Sequence, residues 1–151
     1  MDDNPHTIPD LICVNASLRR ASRSLTQLYD AALRPAGLRS TQFTILQVLS
    51  RTGELSQGEL GRILAMDSTT LTRTLRIMDR HGWIAERRGK DRRERLLRVA
   101  KDGRSQFNRA IPAWEKAQAQ VSHHLGNNLS RDLLKLTTEV TTFATTQGGF
   151  S

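Results

Sequence analysis

Residues 87–98 read RRGKDRRERLLR, with seven Arg or Lys side chains in twelve positions. No other stretch of the chain is comparably basic. A surface helix would repeat apolar residues every three or four positions, and here the only apolar pair is Leu96–Leu97. A disordered tail would not be bracketed by ordered-looking sequence. Trp83 and Ile84 stand upstream and Leu96, Leu97 and Val99 downstream, as two short strand-like pieces. Gly89 lies in the polar link between them, where a turn with positive φ is expected. The segment therefore predicts a basic β-hairpin, and its role depends on what flanks it.

The flanks are helical by pattern. Leu11, Val14, Leu18, Ala21, Leu25, Leu28 and Ala32 alternate at spacings of three and four, predicting a long amphipathic helix from Asp10 to Leu33, stopped by RPAG. A second helix starts near Ser40 and buries Phe43, Leu46 and Leu49. A third opens at Ser56 with Glu59 three residues on, the pattern of a capping box, and buries Leu60, Ile63 and Leu64. A fourth runs from an Asp67 cap to a stop at Gly82. Its Leu71, Leu75 and Met78 share one face, while Thr69, Arg73, Arg76 and Arg80 occupy the other, with Ser68 and Thr72 near its start. Two helices joined by a tight turn, the second bearing hydroxyls and arginines, predict a helix-turn-helix, and a basic hairpin directly after it predicts a wing. Beyond it, Phe107, Ile111, Trp114, Val121 and Leu125 mark another long stripe, with Pro112 expected to bend its helix. A last helix from about Ser130 buries Leu133, Leu136, Val140 and Phe143.

The expected fold class is thus mainly α with a small β-hairpin wing, a winged helix-turn-helix over 40–100 flanked by dimerisation helices at 10–33 and 105–147. One domain over 1–151 is the simplest organisation, and RPAG, RTGE and GNNLS (126–130) are short candidate hinges. A net charge of +8 predicts a polyanionic partner. No apolar run approaches the ~20 residues of a membrane span, and no basic stretch carries an opposing apolar face, so no membrane partner is expected. A single cysteine and an acidic, non-apolar start point to a cytoplasmic protein. No phosphate loop, nucleophile elbow or placed carboxylate pair is present, so no enzyme, cofactor or metal site is expected. His123 and His124 are adjacent, about 100° apart on a helix, which suits no single metal.

DRRERLLRVAKDG (91–103) resembles the wing signature of the MarR (multiple antibiotic resistance regulator) family. That pattern is Asp-x-Arg, a small residue, alternating aliphatics, Thr and Gly. Asp91, Arg93, Leu97, Val99 and Gly103 match it. Glu94 stands at the small residue and Ala100 at the Thr. LTRTLRIMDRHGWIAERR resembles the family's recognition helix running into its wing. The resemblance implies a homodimer on a pseudo-palindromic double-stranded DNA operator, acting as a repressor, with effector sensitivity at the junction of DNA-binding and dimerisation helices. It implies Arg93 in the minor groove, oriented by a salt bridge from Asp91; on its own residues, Asp91 also suits a turn former. Ser68, Thr69, Thr72, Arg73 and Arg76 are the expected base readers, and Lys90, Arg92 and Arg95 the phosphate contacts.

The effector is expected to be a small apolar or aromatic anion, with Arg19, Arg20 and Arg23 as candidate partners. Phe43 and Trp114 are candidate pocket linings, though aromatics at helical spacing are more often core. Cys13 resembles the reactive cysteine of the family's hydroperoxide-sensing branch, but the tyrosines expected around it are absent, Tyr29 being the only tyrosine. A small buried side chain is the expectation for Cys13. Two alternatives stay open: a Cys13-based redox regulator, and a basic helical module that binds RNA or protein.

Overall fold

The computed structural model describes residues 8–91 and 93–147. Helix α1 spans Val14–Leu33 and passes through a 3-10 turn, Arg34–Ala36, into α2, Ser40–Thr52. Strand β1 (Leu55–Ser56), α3 (Gln57–Leu64), α4 (Ser68–Arg80), β2 (Ile84–Arg88) and β3 (Arg95–Val99) follow. Helix α5, Lys101–Gln147, closes the chain and is broken at Gly126. The structure is mainly helical, 75% of the described residues, with one small antiparallel sheet.

Local chemistry explains the element ends. Ser56 Oγ accepts the Glu59 N–H at 3.2 Å while the Glu59 carboxylate accepts the Ser56 N–H at 2.9 Å, so the predicted capping box opens α3. Asp67 Oδ1 accepts the Thr70 N–H at 2.8 Å and opens α4. Gly82, at φ 68°, ends the α4 region in the left-handed conformation that favours glycine. Asp30, near the end of α1, accepts the first amide of α2, Ser40 N–H, at 2.7 Å and so caps a neighbouring helix.

Several expectations need correcting. Helix α1 begins at Val14, not Asp10, because two side chains hold the preceding backbone off the helical path: Arg20 Nη1 donates to Pro9 O at 2.7 Å and Ser17 Oγ to Leu11 O at 3.0 Å. The hairpin gains a third strand, in the order β1-β3-β2, with Leu55 opposite Leu97. Gly89 does not take positive φ. Its link is closed instead by Gly89 N–H to Glu94 O at 2.8 Å and Glu94 N–H to Asp91 O at 3.0 Å. Ile63 is 49% exposed, since α3 turns Leu60 and Gly61 inward. Pro112 leaves the helical angles of α5 intact, and the break falls at Gly126 (φ 74°, ψ 165°).

The core joins Leu33, Leu38, Phe43, Ile45, Leu46, Leu49, Leu60, Leu71, Met78, Ile84 and Leu97. Full burial of such side chains is worth roughly 1.5–3 kcal/mol each. Phe43 lies at its centre, 5.5 Å from the Trp114 ring and 4.9 Å from that of Phe107, and so locks α2 to the first limb of α5. Gly103 sits where no side chain fits: a Cβ there would stand 1.9 Å from Trp83 O.

Candidate nucleic-acid interface

Helix α4 shows its apolar side to the core through Leu71, Leu75 and Met78, all buried. The same geometry turns Ser68, Thr69, Thr72, Arg73 and Arg76 outward, and all five are exposed on the first turns of the helix. Among the described residues neither Arg73 nor Arg76 has a carboxylate within ion-pair distance. Thr72 has one protein partner, Gln57 Nε2, which donates to its Oγ1 at 2.7 Å.

Strands β2 and β3 pair from Ile84 opposite Val99 to Arg88 opposite Arg95, carrying the polar link outward. Lys90, Asp91, Arg93 and Arg95 are exposed, and Arg92 lies outside the described residues. The expected Asp91–Arg93 salt bridge is not present among the described residues. Asp91 Oδ1 instead accepts the backbone N–H of Arg93 at 3.0 Å, the contact that a two-residue spacing lets a short carboxylate make. Arg95 Nη1 is paired with Glu86 Oε1 at 2.8 Å on the adjacent strand, which neutralises part of the charge expected to meet phosphate.

One wing contact has no counterpart in the sequence reading. Arg87 grips Glu54 with a fork, Nε to both carboxylate oxygens at 2.9 Å and Nη2 to Oε2 at 2.5 Å, tying β2 to the loop after α2. Residues 33 apart leave no local signal, and only knowledge that β1 joins the sheet would have brought them together.

Three carboxylates of this region, Glu54, Glu59 and Asp67, are held below their ordinary range. Hydrogen bonds from Arg87 lower Glu54, the Ser56 amide lowers Glu59, and the Thr70 amide lowers Asp67. A depressed folded pKa contributes stability that is present above the unfolded value and lost as pH falls through the folded one. The thermal midpoint is therefore expected to stay level above about pH 5 and to fall below about pH 4. Glu59→Gln with Asp67→Asn, which keep acceptor oxygens but remove the charge, should flatten that fall. An unchanged acid slope in the double variant would show that these caps do not carry it.

The residues considered for an effector do not line one cavity: Phe43 and Trp114 stack in the core, apart from the three arginines. A cavity of about 760 Å³ lies between α1, the start of α2, the end of α3 and the second limb of α5. Leu18, Leu25, Met66 and Leu133 supply apolar walls, and Ser22, Thr26, Tyr29, Thr44, Thr137 and Thr141 supply hydroxyls. Among the described residues no Lys, Arg, Asp or Glu lines it. Phe43 is 2% exposed, in the aromatic core with Trp114, and neither ring lines this cavity. Arg19 and Arg23 are set apart from it as well, and Arg20 is engaged with Pro9 O. Tyr29 Oη donates to Gln118 Oε1 at 2.5 Å, and burial raises its pKa. Cys13, expected to be buried, is exposed at the N-cap of α1, because that helix starts later than its apolar stripe suggested.

A helix-turn-helix whose second helix presents hydroxyls and arginines, followed by a basic β2–β3 hairpin wing, defines a winged-helix DNA-binding protein. Residues 38–94 match the model of the MarR family. The DNA complex of the M. tuberculosis transcriptional regulator MosR is 36% identical, with a TM-score of 0.76 over 86% of this chain and 97% of that one. YwoH of Bacillus subtilis (strain 168), an HTH-type transcriptional regulator, is 29% identical over 90 residues, 60% of this chain and 66% of that protein. An operator complex of a cysteine-to-serine mutant of E. coli MarR, at 20% identity, shares the fold with a TM-score of 0.76 over 87% of this chain and 99% of that one. The chain belongs to the MarR family. It is a transcriptional regulator and not an enzyme.

Proposed function

We propose that the chain represses transcription as a homodimer on a pseudo-palindromic operator and leaves it when a small uncharged molecule enters the cavity beside α1. The observation that carries the DNA-binding part is the exposed face of α4 standing next to a wing with unneutralised cations. Dimerisation is supported by apolar side chains left in the open at both ends of the chain, Ile12 and Val14 before and within α1, and Leu129, Leu134, Leu136 and Phe143 on the second limb of α5. A two-fold dimer presents two copies of α4, so half-sites about one helical turn, roughly 10 base pairs, apart are expected.

The neutral effector replaces the anion suggested by sequence. A carboxylate in a cavity without a cation would lose its hydration and gain no partner, at a cost of several kcal/mol. Hydroxyls lining apolar walls suit a neutral molecule with one or two polar atoms. A gel shift on duplex from the gene's own upstream region, against unrelated duplex, tests the DNA-binding part, and sedimentation tests the dimer. Titrating the complex with an aromatic alcohol and with its matching carboxylate tests the effector, the alcohol being expected to release DNA at lower concentration. A stable monomer at micromolar concentration, or release by the carboxylate alone, would overturn the corresponding part.

A second reading has one observation in its favour, the exposure of Cys13. Exposed thiols are accessible to oxidants, though reactivity also requires thiolate. Stoichiometric organic hydroperoxide should leave the wild-type complex bound. Release from wild type but not from Cys13→Ser would put a thiol switch in place of the cavity.

A further inference from the structure

Gln57 opens α3, fifteen residues before Thr72, and stands between the two helices of the turn motif. Its amide nitrogen donates to Thr72 Oγ1 at 2.7 Å. A threonine hydroxyl has one proton and two lone pairs, so it can present either character to a partner. In a helix the proton commonly goes to the carbonyl four residues back, as Thr74 Oγ1 does to Thr70 O at 3.0 Å. Thr72 makes no such bond among the described residues, while one of its lone pairs is already occupied. Its proton is left without an acceptor among the described residues, on a side chain that the exposed face presents outward.

We propose that Gln57, although outside the recognition helix, is a specificity-determining positioning residue that makes Thr72 a hydrogen-bond donor toward DNA. This rests on the reading that α4 lies in the major groove. A fixed donor favours acceptor edges, which are N7 and O6 of guanine, N7 of adenine and O4 of thymine, over the amino groups of cytosine and adenine. A hydroxyl free to rotate accepts either kind and discriminates poorly. Base preference at one position per half-site would then be set by a side chain that need not touch a base.

The experiment takes the full-length chain and an operator selected from random duplex. Each base pair of one half-site is changed in turn, and binding is compared across this panel by competition gel shift. Gln57→Ala is expected to reduce discrimination at a single base pair by about three- to tenfold, the loss of one hydrogen bond's worth of positioning. Elsewhere in the panel it should change little. The salt dependence should not change, because no charge is removed.

Thr72→Val should flatten the same base pair, and the double variant should be no worse than Thr72→Val. Gln57→Glu supplies the distinctive readout. Its carboxylate can only accept, so it would take the Thr72 proton and leave lone pairs facing out. Preference at that base pair should move toward one offering an amino group, whatever the added negative charge does to affinity overall. Thermal melts matching wild type would exclude misfolding.

A uniform loss across the panel for Gln57→Ala, or a Thr72→Val effect at a base pair that Gln57 variants leave alone, would overturn the proposal while leaving α4 as the reading helix. A wild-type chain unable to tell operator from unrelated duplex would overturn both.

Discussion

Gly103→Ala is expected to lower stability by about 3 kcal/mol, at the upper end of overpacking costs. The added methyl would be placed 1.9 Å from Trp83 O, roughly half a normal contact distance. A flexible side chain would step aside at little cost, but this neighbour is backbone. Trp83 O is itself held in place, since it accepts the Ala100 N–H at 2.9 Å just before α5. Relief therefore requires either losing that bond or lifting the start of α5 off the sheet. At about 2–4 °C per kcal/mol for a chain of this size, the thermal midpoint should drop by roughly 6–12 °C. Calorimetry or far-ultraviolet dichroism reads the shift directly. A midpoint within about 2 °C of wild type would mean that the junction is looser than its geometry implies. The family-like glycine at this position thus has a steric cause.

Arg73→Ala should separate reading from positioning. Arg73 is exposed and has no ion-pair partner among the described residues, so its guanidinium is available to a guanine edge, where a good bidentate contact is worth about 1–3 kcal/mol of discrimination. Affinity for the operator should fall by roughly 5- to 150-fold, with a much smaller loss on unrelated duplex. Lys90→Ala, at the wing, should weaken both DNAs alike and lower the salt slope by about 0.9, the release of one counterion. Arg95 is expected to behave differently from Lys90. Its charge is partly spent on Glu86, so Arg95→Ala should cost less than Lys90→Ala on either DNA. Equal losses on both DNAs for Arg73→Ala would show that α4 does not read bases.

The parts of the molecule written locally were legible in the sequence. Ser56, Glu59 and Asp67 cap helices through their own near neighbours, and Gly82 stops one because of a conformation other residues resist. The outward face of α4 followed from helical period alone. Contacts between distant residues carried no such signal. Two-residue β1 is too short to show a period, and it exists because Leu55 pairs with Leu97. The Arg87–Glu54 fork depends on that same pairing. The late start of α1 depends on Arg20 and Ser17 reaching backward, a choice the apolar stripe could not express. Arg19, Arg20 and Arg23 do not line the cavity beside α1 for a related reason: helical spacing says which residues share a face, but not which face closes over a cavity. GNNLS, marked as a hinge by composition, does contain the break in α5, whereas Pro112 keeps helical angles, its fixed φ lying in the helical range.

Gly126 sits at φ 74°, ψ 165°, a region essentially closed to any residue with a side chain, and nothing lies within 4 Å of where its Cβ would be. The limb from Lys101 to Leu125, at about 1.5 Å per residue, is roughly 36 Å of straight helix. The aromatic contacts of Phe43 with Phe107 and Trp114 join that limb to α2, so a bend at this glycine would carry limb and DNA-binding elements together. A rotation of about 5° there swings the far end by roughly 3 Å, close to the ~3.4 Å rise between successive base pairs. In the proposed dimer, a tilt that small is enough to carry two reading helices from matching register to one base pair out.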